Sequence, residues 1–212
     1  MLKVNFQDAG SRFIEQLHSF HDWLIVFVIS IRITTLLAIF KLKSPLRQRS
    51  YIEAQDLESV WTLIPAIILL AIGLPSLRLL YLSDTCSVHD YTVKAIGHQW
   101  YWQYDYPYYP NFDSYITNDF YRFLEVDNRV QCPVDHSTQF LISASDVLHS
   151  WTLPTIGIKA DAVPGRVNKL QLIPKRPGIF YGQCSEICGR NHSFMPISIE
   201  APIFNQLNTL KV

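Results

Sequence analysis

Charge is scarce in this sequence: only 17% of its 212 residues are Lys, Arg, Asp or Glu, and 18 basic side chains balance 18 acidic ones. A chain of zero formal charge has no overall attraction to nucleic acid or to acidic surfaces, so no nucleic-acid partner is expected. Residues 1–10, "MLKVNFQDAG", lack the basic start of a secretory leader and the Arg/Ser-rich composition of a transit peptide. If the chain reaches a membrane, a permanent apolar segment must take it there. No internal repeat and no low-complexity tract is present. Cysteine is sparse as well, at Cys86, Cys132, Cys184 and Cys188. An even count is weak evidence for disulfides. Cys86 and Cys132 have no ligand-type neighbours at useful spacing and read as isolated thiols.

Long apolar runs, in contrast, are present twice. Residues 23–40, "WLIVFVISIRITTLLAIF", carry a single charge, Arg32, and residues 59–82, "SVWTLIPAIILLAIGLPSLRLLYL", form the second run. A helix needs about 20 residues to cross a hydrocarbon core of ~30 Å. Spans at about 22–40 and 59–82 are therefore expected. A pair of buried core helices is the alternative, and the short polar loop between the runs argues against it. That loop holds Lys41, Lys43, Arg47 and Arg49, whereas the N-terminal tail offers only Lys3 and Arg12. The positive-inside rule puts the loop on the cytoplasmic or matrix side and both termini on the other. Arg32 is expected to face a protein partner or to snorkel, and Pro65 and Pro75 to kink the second span. Glu58 sits at its inner mouth and reads, on its own, as a solvated flanking acid.

Beyond residue 83 the texture changes. "YTVKAIG", "RFLEVDN", "TQFLISAS", "RVNKLQLIP", "GIFYGQ" and "PISIEAP" are short segments rich in β-branched or aromatic residues, punctuated by Pro, Gly, Asn and Asp. Such spacing predicts an antiparallel sandwich or barrel. The expectation is an α+β membrane protein in two parts: residues 1–82 as tail and helical hairpin, and residues 83–212 as a β domain.

Residues 184–195, "CSEICGRNHSFM", place two cysteines, a histidine and a methionine within one short stretch. Thiolate, imidazole and thioether together suit copper better than zinc. A further His is needed from an earlier strand end; His89, His98, His136 and His149 are available. His149, in "SDVLHSW", directly follows a strand-like segment. Cys184 and Cys188 can bridge two metals, with one imidazole for each from His149 and His192. Met195 and a backbone carbonyl of the turn complete the set. No coordination position is left open, which suits electron transfer rather than substrate chemistry. Structural zinc on Cys184, Cys188, His192 and His149 remains the rival, with Met195 as the discriminator. Trp100, Trp102, Tyr104 and Tyr106 alternate and are expected to share one strand face.

With these motifs in family order, together with "GHQWYWQYDY", "DAVPGR", "RPGIFYGQ" and "WTLIPAIILLAIGLPSLR", the chain resembles subunit 2 of the haem–copper cytochrome c oxidases over nearly its whole length. The wording of the motifs is most similar to the mitochondrial versions. The resemblance implies a cupredoxin-like domain carrying a dinuclear copper A centre. Its ligands would be His149, Cys184, Cys188, His192, Met195 and the backbone carbonyl of Glu186. The Glu186 carboxylate would also hold a magnesium ion shared with the catalytic subunit. Trp100 would receive electrons from cytochrome c, and Asp105, Asp127 and Asp146 would help dock that basic partner. Glu58 would lie at the mouth of a proton path. Electrons would pass on to haem in the catalytic subunit, where oxygen is reduced and protons are pumped. The implied place is the mitochondrial inner membrane, with the copper domain and both termini in the intermembrane space; a bacterial plasma membrane is the second choice. One departure stands out: "PYYPNFDS" holds Asp113 as its only acid, where mitochondrial relatives often carry an acid-rich stretch. Docking would then lean on Asp119, Glu125 and Asp127. A membrane-tethered copper- or zinc-binding protein without a redox circuit is the competing reading.

Overall fold

The structure is a computed structural model and describes residues 6–42, 53–84, 88–117 and 123–203. Two long helices come first, α1 (Arg12–Leu42) and α2 (Gln55–Asp84). They contain the two expected spans and extend them at both ends. Both are long and apolar enough to cross a membrane. Their large side chains do not fold inward: Val26 is 61% exposed and Leu70 71%. A helix apolar all round has hydrocarbon rather than water as its surroundings. Polar side chains within α1 satisfy themselves locally. Ser30 donates to the Val26 carbonyl, and Thr34 and Thr35 donate to carbonyls one turn back, as a medium without water requires. Pro65 and Pro75 lie inside α2, which runs through both. Of the expected basic loop, Lys41 closes α1; Lys43, Arg47 and Arg49 lie outside the described residues, as do Cys86 and Asp119.

The chain separates into two compact units, residues 16–85 and residues 1–15 with 86–212. This corrects the expected boundary at 82/83, which assigned the whole tail to the helices. The tail packs with the β unit instead. Gly10 N–H donates to the Thr155 carbonyl at 2.7 Å, Lys175 N–H donates to the Gly10 carbonyl at 2.9 Å, and Ser11 Oγ donates to the Ile156 carbonyl at 2.7 Å. Ile14 is buried against the loop that carries Gly157. Composition alone could not show this, because two of the three bonds are wholly backbone and the third needs only a serine hydroxyl beside a distant carbonyl.

The β unit has ten strands among the described residues: β1 (Tyr91–His98), β2 (Tyr101–Tyr106), β3 (Tyr109–Ser114), β4 (Val130–Gln131), β5 (Thr138–Ala144), β6 (His149–Leu153), β7 (Ile158–Ala162), β8 (Asn168–Leu172), β9 (Gly178–Gln183) and β10 (Pro196–Ala201). They form a five-stranded sheet in the order β3-β2-β1-β5-β8, a three-stranded sheet β4-β10-β9 and the pair β6-β7. Most pairs are antiparallel, as expected. Two are parallel, β1 with β5 and β4 with β10, so the sandwich is mixed rather than purely antiparallel. Parallel neighbours need long crossovers, and the segments between β1 and β5 and between β4 and β10 supply them.

The core follows from period-two alternation. In β5, Thr138, Phe140, Ile142 and Ala144 are buried while the residues between them are half-exposed. β6 is buried throughout. Phe140 stacks on Trp151 with centroids 4.6 Å apart, and each such fully buried large side chain contributes about 1.5–3 kcal/mol. Chain crossings are close: a Cβ at Gly182 of β9 would lie 1.8 Å from the Thr152 carbonyl oxygen of β6, so only glycine fits.

Two local expectations are corrected. "RFLEVDN" is not a strand: within its described part only Val126 forms a bridge, to Ile116. Asp127 takes the segment into a turn by accepting from Tyr115 N–H and Asn128 N–H, the usual way an Asp diverts a strand. Trp100 does not share the face of Trp102, Tyr104 and Tyr106. It lies in the turn between β1 and β2, one residue before β2 begins.

Candidate metal centre

The ladder between β9 and β10 positions the cysteine loop. Gln183 pairs with Pro196, so Cys184 and Met195, the next residues inward, close the two ends of one loop. Ser185 N–H donates to the Ser150 carbonyl at 3.0 Å. That bond ties the loop to β6 beside His149, the first residue of β6. His149 is fully buried. Its ring lies over Gly97 of β1, where a Cβ would come within 2.8 Å of His149 Cδ2; glycine there makes room for the imidazole.

All the expected copper ligands converge. Cys184 Sγ lies 3.9 Å from His149 Nδ1 and donates to the Glu186 carbonyl at 3.3 Å. Cys188 Sγ lies 3.4 Å from His192 Nδ1 and 3.4 Å from Met195 Sδ. The ligand atoms of His149, Cys184 and Cys188 all fall within 4.8 Å of one another. Each sulfur thus has its own imidazole nitrogen, and the two halves differ in the weaker partner, a carbonyl on one side and a thioether on the other. Cys184, Cys188 and Met195 are buried and His192 is half-buried. Among the other early histidines, His98 stacks on Tyr101 and His136 lies beside Asp90; neither joins the cluster.

The electrostatics favour one thiolate before a metal arrives. Burial opposes ionisation of Cys184, but His149 and the backbone groups of Ser150 and Glu186 outweigh it and bring the thiol down to about 7. Burial, and then the charge of Cys184, push Cys188 up to about 12. A second thiolate in this space calls for a cation. Burial opposes the charged form of His149 too, yet Cys184 and Asp146 together raise its pKa. Two thiolates, two imidazoles, a thioether and a carbonyl, mostly dry, fit copper. A lone zinc would use the thiolates and imidazoles and leave the thioether at Cys188 without a purpose.

The surroundings of the cluster were less visible in the sequence. Asp146, expected as a docking acid, is exposed at the rim, yet its carboxylate is bonded to the site. Its carboxylate accepts from His149 Nε2 at 2.9 Å, from Val147 N–H at 2.6 Å and from Gln99 N–H at 2.7 Å. A carboxylate behind a ligating imidazole fixes its tautomer and orientation. The Asp-x-x-His spacing was the available signal. Gln99 also donates from Nε2 to the Cys188 carbonyl at 2.7 Å. The half-buried Trp100 lies against Gly189, where a Cβ would be 3.1 Å from Trp100 Cζ2; Gly189 has φ +125. Trp102 is fully buried and meets the His149 ring edge-on at 5.9 Å, so it touches a ligand as well as the core.

The remaining candidates stand apart from the cluster. Asp105 is paired with Lys94 at 2.9 Å. Asp127 is held in its turn, and Glu125 faces Arg129 at 2.7 Å and Tyr181. Glu186 is half-buried. Glu58 lies in the first turn of α2.

A membrane-anchored sandwich that closes a buried dithiolate, bis-imidazole, thioether loop between two strands defines a cupredoxin-type electron carrier. The comparisons with known proteins agree. A family model described as the periplasmic domain of cytochrome c oxidase subunit II matches residues 91–202, and one described as the transmembrane domain of the same subunit matches residues 1–79. The chain belongs to the cytochrome c oxidase subunit II family. Among solved structures, it is similar to the periplasmic domain of subunit II of cytochrome oxidase from Bradyrhizobium japonicum. The identity is 41%, the TM-score 0.57, and the match covers 59% of this chain and 93% of that one. It is also similar to a mixed-disulfide intermediate between a thioredoxin-like protein and subunit II of cytochrome c oxidase. There the identity is 40%, the TM-score 0.54, and the coverage 60% and 92%. The chain is thus the electron-input subunit of an oxidoreductase complex, and its His/Cys/Cys/Met cluster fits a copper A site.

Proposed function

We propose that this subunit takes electrons one at a time from cytochrome c and delivers them to haem in the partner catalytic subunit, which reduces oxygen to water and pumps protons. The observation that carries the reading is the convergence of His149, Cys184, Cys188, His192 and Met195, each sulfur beside its own imidazole. When bound, a dinuclear copper A centre supplies a one-electron store shared between two metals. The chain's own residues do the rest. Cys184 and Cys188 hold the charge in a dry loop, Met195 and the Glu186 carbonyl weakly tune the two halves, and Asp146 fixes the His149 ring. Trp100, half-exposed beside Gly189, receives the electron. Asp105 and Asp127, with Asp146 at the rim, attract the basic donor. Glu186, whose carbonyl faces Cys184, offers its carboxylate to a magnesium ion shared with the catalytic subunit. Glu58 lies at the mouth of a proton path.

The mitochondrial wording of the motifs supports an inner-membrane location with both termini and the copper domain in the intermembrane space. The solved structure of the mixed disulfide supports a further step for this chain, in which a thioredoxin-like partner keeps Cys184 and Cys188 reduced before metal loading. Stopped-flow mixing of reduced cytochrome c with the oxidase tests the assignment. Rapid bleaching of the donor, with a rate that falls as salt screens charges beyond ~10 Å at 0.1 M, supports it. A copper-loaded protein that no cytochrome c reduces would favour a metal-binding protein without a redox circuit.

A further inference from the structure

Gln99 occupies a position that the copper ligands do not explain. Its backbone N–H donates to Asp146 Oδ2 at 2.7 Å, and the other oxygen of that carboxylate accepts from His149 Nε2. Its side chain reaches the opposite way and donates from Nε2 to the Cys188 carbonyl at 2.7 Å. One residue therefore bonds to both ligand-bearing segments, adding to the Ser185–Ser150 backbone bond and the Cys184–His149 contact that join them near the metal. The residue that follows is Trp100. Its indole is seated on Gly189, directly after Cys188, and a Cβ at Gly189 would meet Gln99 Nε2 and Trp100 Cζ2, each at 3.1 Å. The turn between β1 and β2 is thus pressed onto the Cys188–Gly189 peptide by one amide and one ring, and glycine leaves the contact open.

We infer that Gln99 is a positioning residue for electron input: its side-chain amide clamps the Trp100 turn onto the Cys188–Gly189 peptide and so sets the contact between the receiving indole and a copper ligand. The inference rests on the reading of Trp100 as the electron acceptor. The bond is short and half-buried, and its acceptor is a backbone carbonyl, so it serves no need of Gln99 itself; an exposed amide would be satisfied by water. What it contributes is geometry. A positioning error on the order of 1 Å is enough to cost a reaction up to about a hundredfold.

The test uses the intact oxidase with Gln99→Met, which keeps length and volume and removes the donor. Three readouts are taken: the rate of copper reduction at saturating reduced cytochrome c, the affinity for that donor, and the EPR spectrum of the copper. The expected result is a saturated rate lowered about tenfold, within the range such a misplacement carries, with affinity and EPR spectrum unchanged. Gly189→Ala, whose Cβ would press on both Gln99 Nε2 and the indole, should lower the saturated rate as well. In a double-mutant cycle, Gln99→Met should have little further effect once Trp100 is Phe. If Trp100→Phe slows transfer but Gln99→Met does not, the inference is overturned while the role of Trp100 stands. If Trp100→Phe itself leaves the rate unchanged, the role of Trp100 falls and the inference with it. Loss of the copper signal in Gln99→Met would make the residue a structural support of the site and would also overturn the inference.

Discussion

Asp146→Asn probes how the buried imidazole is held. The carboxylate accepts three bonds, from His149 Nε2 at 2.9 Å, Val147 N–H at 2.6 Å and Gln99 N–H at 2.7 Å. Asparagine has the same shape but one acceptor oxygen and no charge. If that oxygen keeps His149 and Val147, the new NH2 faces the Gln99 N–H, donor against donor. If it turns the other way, His149 loses its partner. Bonds to a charged group contribute about 1.5–3 kcal/mol against about 1 for neutral ones. Asparagine therefore loses one bond and weakens the rest. Partners behind metal ligands typically cost 10–100-fold in metal affinity when removed, so copper affinity should fall by about that factor. Competition against a chelator of known strength measures it, with EPR confirming that the saturated centre is intact. Unchanged affinity would show that the Asp146–His149 bond is incidental. A loss as complete as that in Cys184→Ser would make Asp146 part of the coordination rather than its support.

Other expectations follow from the same contacts. Met195→Leu should keep both coppers and shift the reduction potential, because a thioether is a weak ligand; potentiometry beside metal analysis reads both, and copper loss equal to that of Cys184→Ser would contradict the ranking. Trp100→Phe should slow electron input with the EPR spectrum intact, whereas Trp102→Phe, which removes an indole from the edge of His149, should disturb the spectrum; the reverse pattern would return Trp100 to a packing role. Glu125 is opposed by burial but held below its ordinary value of 4.5 by Tyr181 and Arg129. Its contribution to stability is therefore present above that value and lost as pH falls through the depressed one. Glu125→Gln should flatten the acid limb of β-unit stability measured by circular dichroism, and an identical acid profile would refute the linkage. Charge reversal at Asp127 should mainly slow association with cytochrome c, as rim charges do, and salt-independent kinetics would remove the electrostatic account.

The parts of this protein that sequence revealed are those set by local pattern. Two apolar runs of 18 or more residues, broken by little more than Arg32, Pro65, Pro75 and Arg78, read as long helices, and α1 and α2 contain them. The spacing of Cys184, Cys188, His192 and Met195 is short enough to close one loop, and "SDVLHSW" after a strand located His149. The parts that stayed hidden depend on backbone groups or on partners distant in sequence. Trp100 reads as a strand residue by alternation, yet the β1–β2 register turns the chain one residue before β2 begins. "RFLEVDN" has strand composition, but Asp127 bonds to Tyr115 and Asn128 and bends it. Asp146 reads as a surface acid, and only the fold brings Gln99 and His149 to it. The tail around Gly10 and Ser11 has no pattern of its own, because it docks through carbonyls and amides of residues 155–175.

The central claim is a centre of two coppers bridged by Cys184 and Cys188. EPR of the copper-loaded protein, taken with its metal content, tests it most directly. The account predicts two coppers per chain and an unpaired electron shared over both nuclei, as two thiolates with one imidazole each require. One copper per chain with the hyperfine pattern of a single nucleus would contradict it.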